Sequence, residues 1–151
     1  MQALLTVIVI WLSANFDLPT IHEHPRVEFL PASKIATLRH TARPSSGQLD
    51  ETSAPAPAGQ RATVAVYDDA TKTISLPEGW TGSTPAEVSI LVHEMVHHLQ
   101  NLGKQRFECP QERERLAYAA QEKWLGLFGH DLLSDFEIDP FTLLVSTRCI
   151  Y

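Results

Sequence analysis

The five residues His93-Glu94-Met95-Val96-His97 carry the clearest chemistry in the chain. Two histidines four apart on a helix project the same way one turn apart, so both rings can reach a single metal ion, for Zn²⁺ at about 2.0–2.1 Å. Glu94 lies ~100° round the helix from His93, beside such a site and not opposite it. From there its carboxylate can take a proton from a water whose pKa the metal has lowered to about 7. At this chain's own content of His and Glu the pattern arises by chance in roughly one sequence in fifty, so its surroundings must decide what it means.

Those surroundings describe a buried helix. Ser83-Thr84-Pro85-Ala86-Glu87 opens it: Thr84 is placed as N-cap, Pro85 suits the first helical position, and Glu87 completes a capping box. Val88, Leu91, Val92, Met95, Val96, Leu99 and Leu102 fill one broad arc, His93, His97 and Gln100 border it, and Gly103 supplies the stop. Upstream, residues 62–67 and Thr73-Ile74-Ser75-Leu76 are β-rich runs about the Asp-rich turn 68–72, which predicts a hairpin. An extended piece at 26–30 and a short helix from Lys34 precede it. His22 and His24 sit two apart beside Pro25 and read as surface histidines.

A catalytic zinc takes three protein ligands and keeps one position for water, so a third must lie downstream. Pro110-Gln111-Glu112-Arg113-Glu114 begins a second helix, running to about Phe128 before Gly129, and Glu108, Glu112 and Glu114 compete for the role. With Glu114 at zero on the wheel, Ala117, Tyr118, Gln121, Trp124, Leu125 and Phe128 cluster within ~80° of it, whereas Glu112 lies on the far side. A carboxylate within an apolar stripe is costly unless paired or metal-bound, which singles out Glu114. The other explanation is a buried ion pair with Arg26 or Arg148.

His-Glu-x-x-His on one helix followed by Glu114-x-x-Ala117-Tyr118 on the next resembles the gluzincin branch of zinc metallopeptidases, where the second glutamate opens a Glu-x-x-Ala-Asp or Glu-x-x-Ala-Asn motif. The chain is also similar to small exported bacterial proteins of unassigned function with a leader, a hairpin, His-Glu-x-x-His-His-x-Gln, a following Cys and Glu-x-x-Ala-Tyr-x-x-Gln. The likeness covers residues 64–127. It implies His93, His97 and Glu114 as zinc ligands, Glu94 as general base, and Thr73, Ile74, Ser75 and Leu76 as the edge strand along which an extended peptide lies. Tyr118 departs from the Asp or Asn that commonly hydrogen-bonds a ligand histidine in those peptidases.

Several neighbours could assist. Gln100 and Gln121 fall on the metal-facing arcs of their helices and are placed to steady the ligands. Tyr118 could donate to a tetrahedral intermediate or be a core tyrosine. His98, four residues after Glu94, could steady it or an oxyanion, with an exposed helix histidine the simpler reading. Trp11, Trp80 and Trp124 read as packing residues. No Gly-x-Ser-x-Gly is present and Cys109 has no base beside it, so nucleophilic serine or cysteine chemistry has no support.

The 151 residues, 44% hydrophobic and 20% charged, suit one α+β domain, compact and zincin-like, with a small antiparallel sheet packed on the two ligand-bearing helices. A net charge of −6 without any basic run excludes a phosphate-backbone binder. Residues 1–14 carry no charge and end in Ser13-Ala14, which suits a secretory leader too short to span a bilayer; a buried N-terminal strand is the alternative. Export would allow Cys109 and Cys149 to form a disulfide. Residues 15–151 then form the single domain, with a Pro-, Ala- and Ser-rich loop at 41–60. The overall expectation is an exported, monomeric zinc peptidase acting on peptide or protein, without nucleic acid or a membrane span. The competing expectation is a non-catalytic exported metal-binding or interaction module on the same fold.

Overall fold

A computed structural model describes residues 1–21, 23–41 and 65–150. Beyond Thr41, the loop expected at 41–60 lies outside the described residues, as do His22 and residues 62–64 of the first hairpin run. The chain forms α1 (Gln2–Phe16), β1 (Arg26–Leu30), α2 (Ala32–Thr41), β2 (Val66–Asp68), β3 (Thr73–Pro77), α3 (Pro85–Leu102), α4 (Pro110–Gly126), α5 (Leu132–Asp135) and α6 (Pro140–Thr147). It is an α+β fold, as the sequence indicated.

The three strands order β1-β3-β2. β2 and β3 form the expected antiparallel pair, with Tyr67 opposite Ile74. β1 adds in parallel on the other side, with Val27 opposite Ile74, so the sheet is mixed and not purely antiparallel. This corrects the edge-strand expectation. Thr73, Ile74, Ser75 and Leu76 lie on the middle strand, with both hydrogen-bonding edges already paired. All four are buried, the signature of a strand covered on both faces; Ser75 there donates to Glu28 Oε1 at 2.8 Å. Among the described residues the outer strands of the sheet are β1 and β2.

α3 is the axis of the core. Thr84 Oγ1 accepts from the Glu87 amide at 3.2 Å, while the Glu87 carboxylate reaches back to the Thr81 and Ser83 amides at 3.2 and 3.0 Å. Burial pushes the Glu87 carboxyl up, but these bonds outweigh it and hold the group below the usual carboxylate range. The helix stops at Gly103 as expected, though the left-handed residue is Lys104. A Cβ at Gly103 would be crowded, standing 3.1 Å from the Leu99 carbonyl. On α4, the fully buried Ala117 and Ala120 leave room for α3 to approach closely.

Residues 1–14, read above as a leader or a strand, form most of α1. Leu5, Ile8, Val9 and Leu12 enter the main core with Leu91, Val92, Met95 and Leu99 of α3. Trp11 meets Trp124 of α4 edge-on with ring centres 5.2 Å apart, and Trp80 donates from Nε1 to the Glu87 carbonyl at 2.8 Å. The bond after Ala14 lies inside the last turn of α1. Among the described residues no helix is long and apolar enough to cross a membrane.

Cys109 and Cys149 form the disulfide, with Cα atoms 5.7 Å apart and a sequence separation of 40. It pins the chain after α6 to the start of α4. That anchor matters because α6 buries none of its residues, touching the core chiefly through half-buried Leu143. Closing a loop of that length stabilises by roughly 3–4 kcal/mol in the chain-entropy model. The packing of α1 gives a direct test. In the full chain, Leu5→Ala or Leu12→Ala should lower stability by about 2–5 kcal/mol in denaturant unfolding, as for other fully buried leucines; a loss within ~0.5 kcal/mol, typical of a surface change, would mean that α1 does not dock.

Candidate metal centre

α3 and α4 bring His93, His97 and Glu114 together, with their ligand atoms all within 4.8 Å of one another. Glu114 Oε2 stands 3.1 Å from His93 Nε2, and Oε1 stands 3.3 Å from His97 Nε2. Both imidazoles are buried, and the carboxylate closes the cluster from its more open side. The partners of Glu114 are therefore histidines, not Arg26 or Arg148. Glu108 and Glu112 stay away from the cluster, Glu112 accepting from the Glu108 amide at 2.7 Å.

The far side of each ring determines what the near side offers. His93 Nδ1 lies 3.1 Å from Gln121 Oε1, and His97 Nδ1 lies 3.0 Å from Gln100 Oε1. The amide orientations are forced by what lies behind them. Gln100 Nε2 donates to the Arg113 carbonyl at 3.2 Å, and a carbonyl can only accept. Gln121 Nε2 donates to Ser89 Oγ at 3.2 Å, whose own proton goes to the Ala86 carbonyl at 2.7 Å. Each glutamine thus turns its oxygen to a histidine, and each Nδ1 must carry a proton. In the neutral rings both Nε2 lone pairs then point at Glu114.

Lone pairs and a carboxylate at 3.1–3.3 Å repel unless a cation lies between them. Burial alone would raise the Glu114 carboxyl, yet hydrogen bonds and charge from His93 and His97 carry it well below the usual range. For His97, burial opposes the charged ring but Glu114 and Glu94 outweigh it, and its pKa is raised. Both directions say that positive charge is favoured in this gap. Protons on the rings or a divalent ion could each supply it, and two imidazole nitrogens with one carboxylate oxygen form an open three-ligand set of the kind that holds such an ion.

Glu94 is 4% exposed and makes no hydrogen bond among the described residues. Its charge reaches the cluster, adding to the upward pressure on His97 and on Tyr118. The Tyr118 ring meets His93 edge-on at 4.7 Å between centres. Burial first, then Glu114 and Glu94 against the opposing Arg39, push its hydroxyl up to about 12, so Tyr118 stays a neutral donor at physiological pH. The hydrogen bond to the ligand histidine that an Asp or Asn would make at this position is made by Gln121, three residues later.

A family model described as Domain of unknown function (DUF6647) matches residues 1–150. The chain belongs to that family. No curated protein and no solved structure matches it.

Two residues of this DUF6647 chain stand apart from their sequence reading. His98 is fully buried and turned away from the cluster: its Nε2 donates to the Glu23 carbonyl at 2.8 Å, and its Nδ1 accepts from the Tyr67 hydroxyl at 3.0 Å. Burial, the largest cause, lowers its pKa, so it is a neutral strut tying α3 to β2 and to the segment before β1, not a surface histidine or a partner of Glu94. Arg113, without a role in the sequence reading beyond its place in the first turn of α4, grips the Asp69 carboxylate through both terminal nitrogens and reaches the His97 carbonyl at 3.4 Å. That clamp fixes the register of α4, and hence Glu114, against α3 and the β2–β3 turn. Its sequence signal was an Asp-rich turn and an arginine beside a ligand, which spacing alone does not join.

The glutamines yield the sharpest check on this geometry. Gln100→Leu and Gln121→Leu should each weaken divalent-metal binding by about 10–100-fold in competition with a chromophoric chelator. Unchanged affinity in both would mean that the amides do not set the histidine tautomers.

Proposed function

We propose that this protein is a zinc-dependent peptidase of the gluzincin type, with His93, His97 and Glu114 as metal ligands and Glu94 as general base. The observation that carries the reading is the Glu114 carboxylate held against two histidines whose outer nitrogens are committed to glutamines. Bound there, Zn²⁺ would polarise the scissile carbonyl and acidify a water. Glu94 is a buried carboxylate without a hydrogen bond among the described residues, one position from a proposed ligand, and could accept a proton from that water and pass it to the leaving amine. Tyr118, kept protonated, can donate to the oxygen on which negative charge develops.

A peptide substrate would be bound through the sheet. β3 being paired on both sides, an extended peptide would add to β2, whose Tyr67 hydroxyl is bonded to α3 through His98 and whose following turn is bonded to α4 through Asp69. Export is supported by the disulfide and by the uncharged N-terminal run. If the chain were cut after Ala14, it would give up four residues of the main core.

Metal analysis of the purified protein should find one zinc per chain, and Glu114→Ala should lose it. Glu94→Gln should retain the zinc and lower hydrolysis of a peptide library by about 10²–10⁴-fold, the usual scale for removing a general base. Absence of stoichiometric zinc, or zinc retained unchanged in Glu114→Ala, would overturn the site; full activity in Glu94→Gln would overturn the mechanism.

A further inference from the structure

The disulfide stands at an open cleft of about 460 Å³ walled by Glu108, Glu112, Arg115, Thr147, Arg148 and Cys149. Cys149 belongs to that wall and Cys109 does not. Cys109 is instead the N-cap of α4, and its side chain makes no capping hydrogen bond. Two guanidinium groups balance two carboxylates in the lining, and Glu112 is already turned to the Glu108 amide at 2.7 Å. An anionic thiolate entering the cleft therefore meets no net charge of its own sign.

What this bond holds is held by little else. α6 buries none of its residues and packs chiefly on α4. The hydrogen bonds of its side chains stay within the helix and its cap: Asp139 accepts from the Phe141 and Thr142 amides, Ser146 donates to the Thr142 carbonyl, and Thr147 donates to the Leu143 carbonyl. None of them must break for α6 to swing off α4. Without the covalent tie, the contact of half-buried Leu143 is too small to offset the entropy of ordering the segment. α4 itself keeps its place through the Arg113 clamp and the buried Ala117 and Ala120.

We propose that Cys109–Cys149 is a thiol–disulfide exchange site, a latch that a dithiol opens to free α6 from α4 and α5. One thiolate of the dithiol attacks Cys149 Sγ, and the S–S bond breaks with its electron pair leaving on Cys109, where the positive end of α4 favours a thiolate. The second thiolate then displaces Cys149 from the mixed disulfide. Two electrons and two protons pass to the protein, which ends with two thiols while the dithiol closes to its own disulfide. Opening uncovers Leu132, Leu133 and the outer side of Tyr118, which line an apolar cleft of about 320 Å³ closed on one side by Leu143. The latch stands whether or not the metal cluster is catalytic.

The test treats the oxidised full chain with dithiothreitol in native buffer, traps free thiols with N-ethylmaleimide and follows amide hydrogen exchange by mass spectrometry. Both cysteines should become alkylated without denaturant, and exchange across residues 140–147 should rise by roughly 100-fold while α3 stays protected. Glutathione, with one thiol, should give first a mixed disulfide carrying glutathione on Cys149 and leave Cys109 to the maleimide. A Cys109→Ser, Cys149→Ser double variant should show the fast α6 exchange from the start and no response to dithiothreitol; if it does not fold, the readings on the unaltered protein decide. A bond that yields only in denaturant, reduction that leaves α6 exchange unchanged, or loss of protection that spreads into α3 would each overturn the latch. Glutathione found first on Cys109 would overturn the direction of attack.

Discussion

Two imidazole nitrogens turned towards one carboxylate make an arrangement that positive charge completes, supplied by protons on the rings or by a metal ion held between them. Neither neighbour can relieve it by rotating. The outer nitrogen of each ring is committed to a glutamine oxygen, and each glutamine is committed in turn, one to the Arg113 carbonyl and the other to Ser89. The tautomers are therefore set by carbonyls that can only accept, two steps away from the ligand atoms. Reorienting a ligand would break a buried hydrogen bond, and an unsatisfied buried polar group costs about 1–3 kcal/mol.

The fold can be understood as what that arrangement requires. A helix bearing His93, Glu94, His97, His98 and Gln100, all buried, cannot lie on a surface, and it cannot be internal without a partner for nearly every polar group. α4 supplies Glu114, Gln121 and the Arg113 carbonyl; β2 supplies the Tyr67 hydroxyl; the segment before β1 supplies the Glu23 carbonyl. α1 covers the apolar arc that remains. Among the described residues Glu94 is the member of this set left without a hydrogen bond, and it is also the group whose proposed role is to exchange a proton.

Local signals in the chain were legible where one element's own periodicity carried them. The α3 cap at Thr84, the α3 stop at Gly103, the pairing of β2 with β3 and the inward face of Glu114 all follow from residues close in sequence. The errors concern pairings across long separations. Nothing in Thr73-Ile74-Ser75-Leu76 announces that Arg26–Leu30, almost fifty residues earlier, will take its second edge. The strand held as the alternative to a leader at residues 1–14 is a helix, because tertiary packing on α3 and α4 overrides the β-branched content of residues 6–10. His98 misled for the same reason: its surroundings are Tyr67 and Glu23, 31 and 75 residues away. Gln100 and Gln121 were placed correctly because helical phase alone brings them to the ligands.

The choice of amides over carboxylates behind the histidines also bears on charge. With a divalent ion bound, the cluster holds +2 from the metal and −1 from Glu114, and Glu94 beside it brings the total to zero. Carboxylates at positions 100 and 121 would add two more negative charges to a buried region of a chain already at −6. They would bind the metal ion more strongly, but they would also hold protons more strongly and weaken the metal's pull on a water or a carbonyl. Neutral glutamines fix the rings with no such cost and leave Glu94 as the one anion near the ligands that is free to act. Tyr118 follows the same logic: its ring packs on His93 without charge, and Gln121, one turn along the helix, makes the hydrogen bond to that histidine.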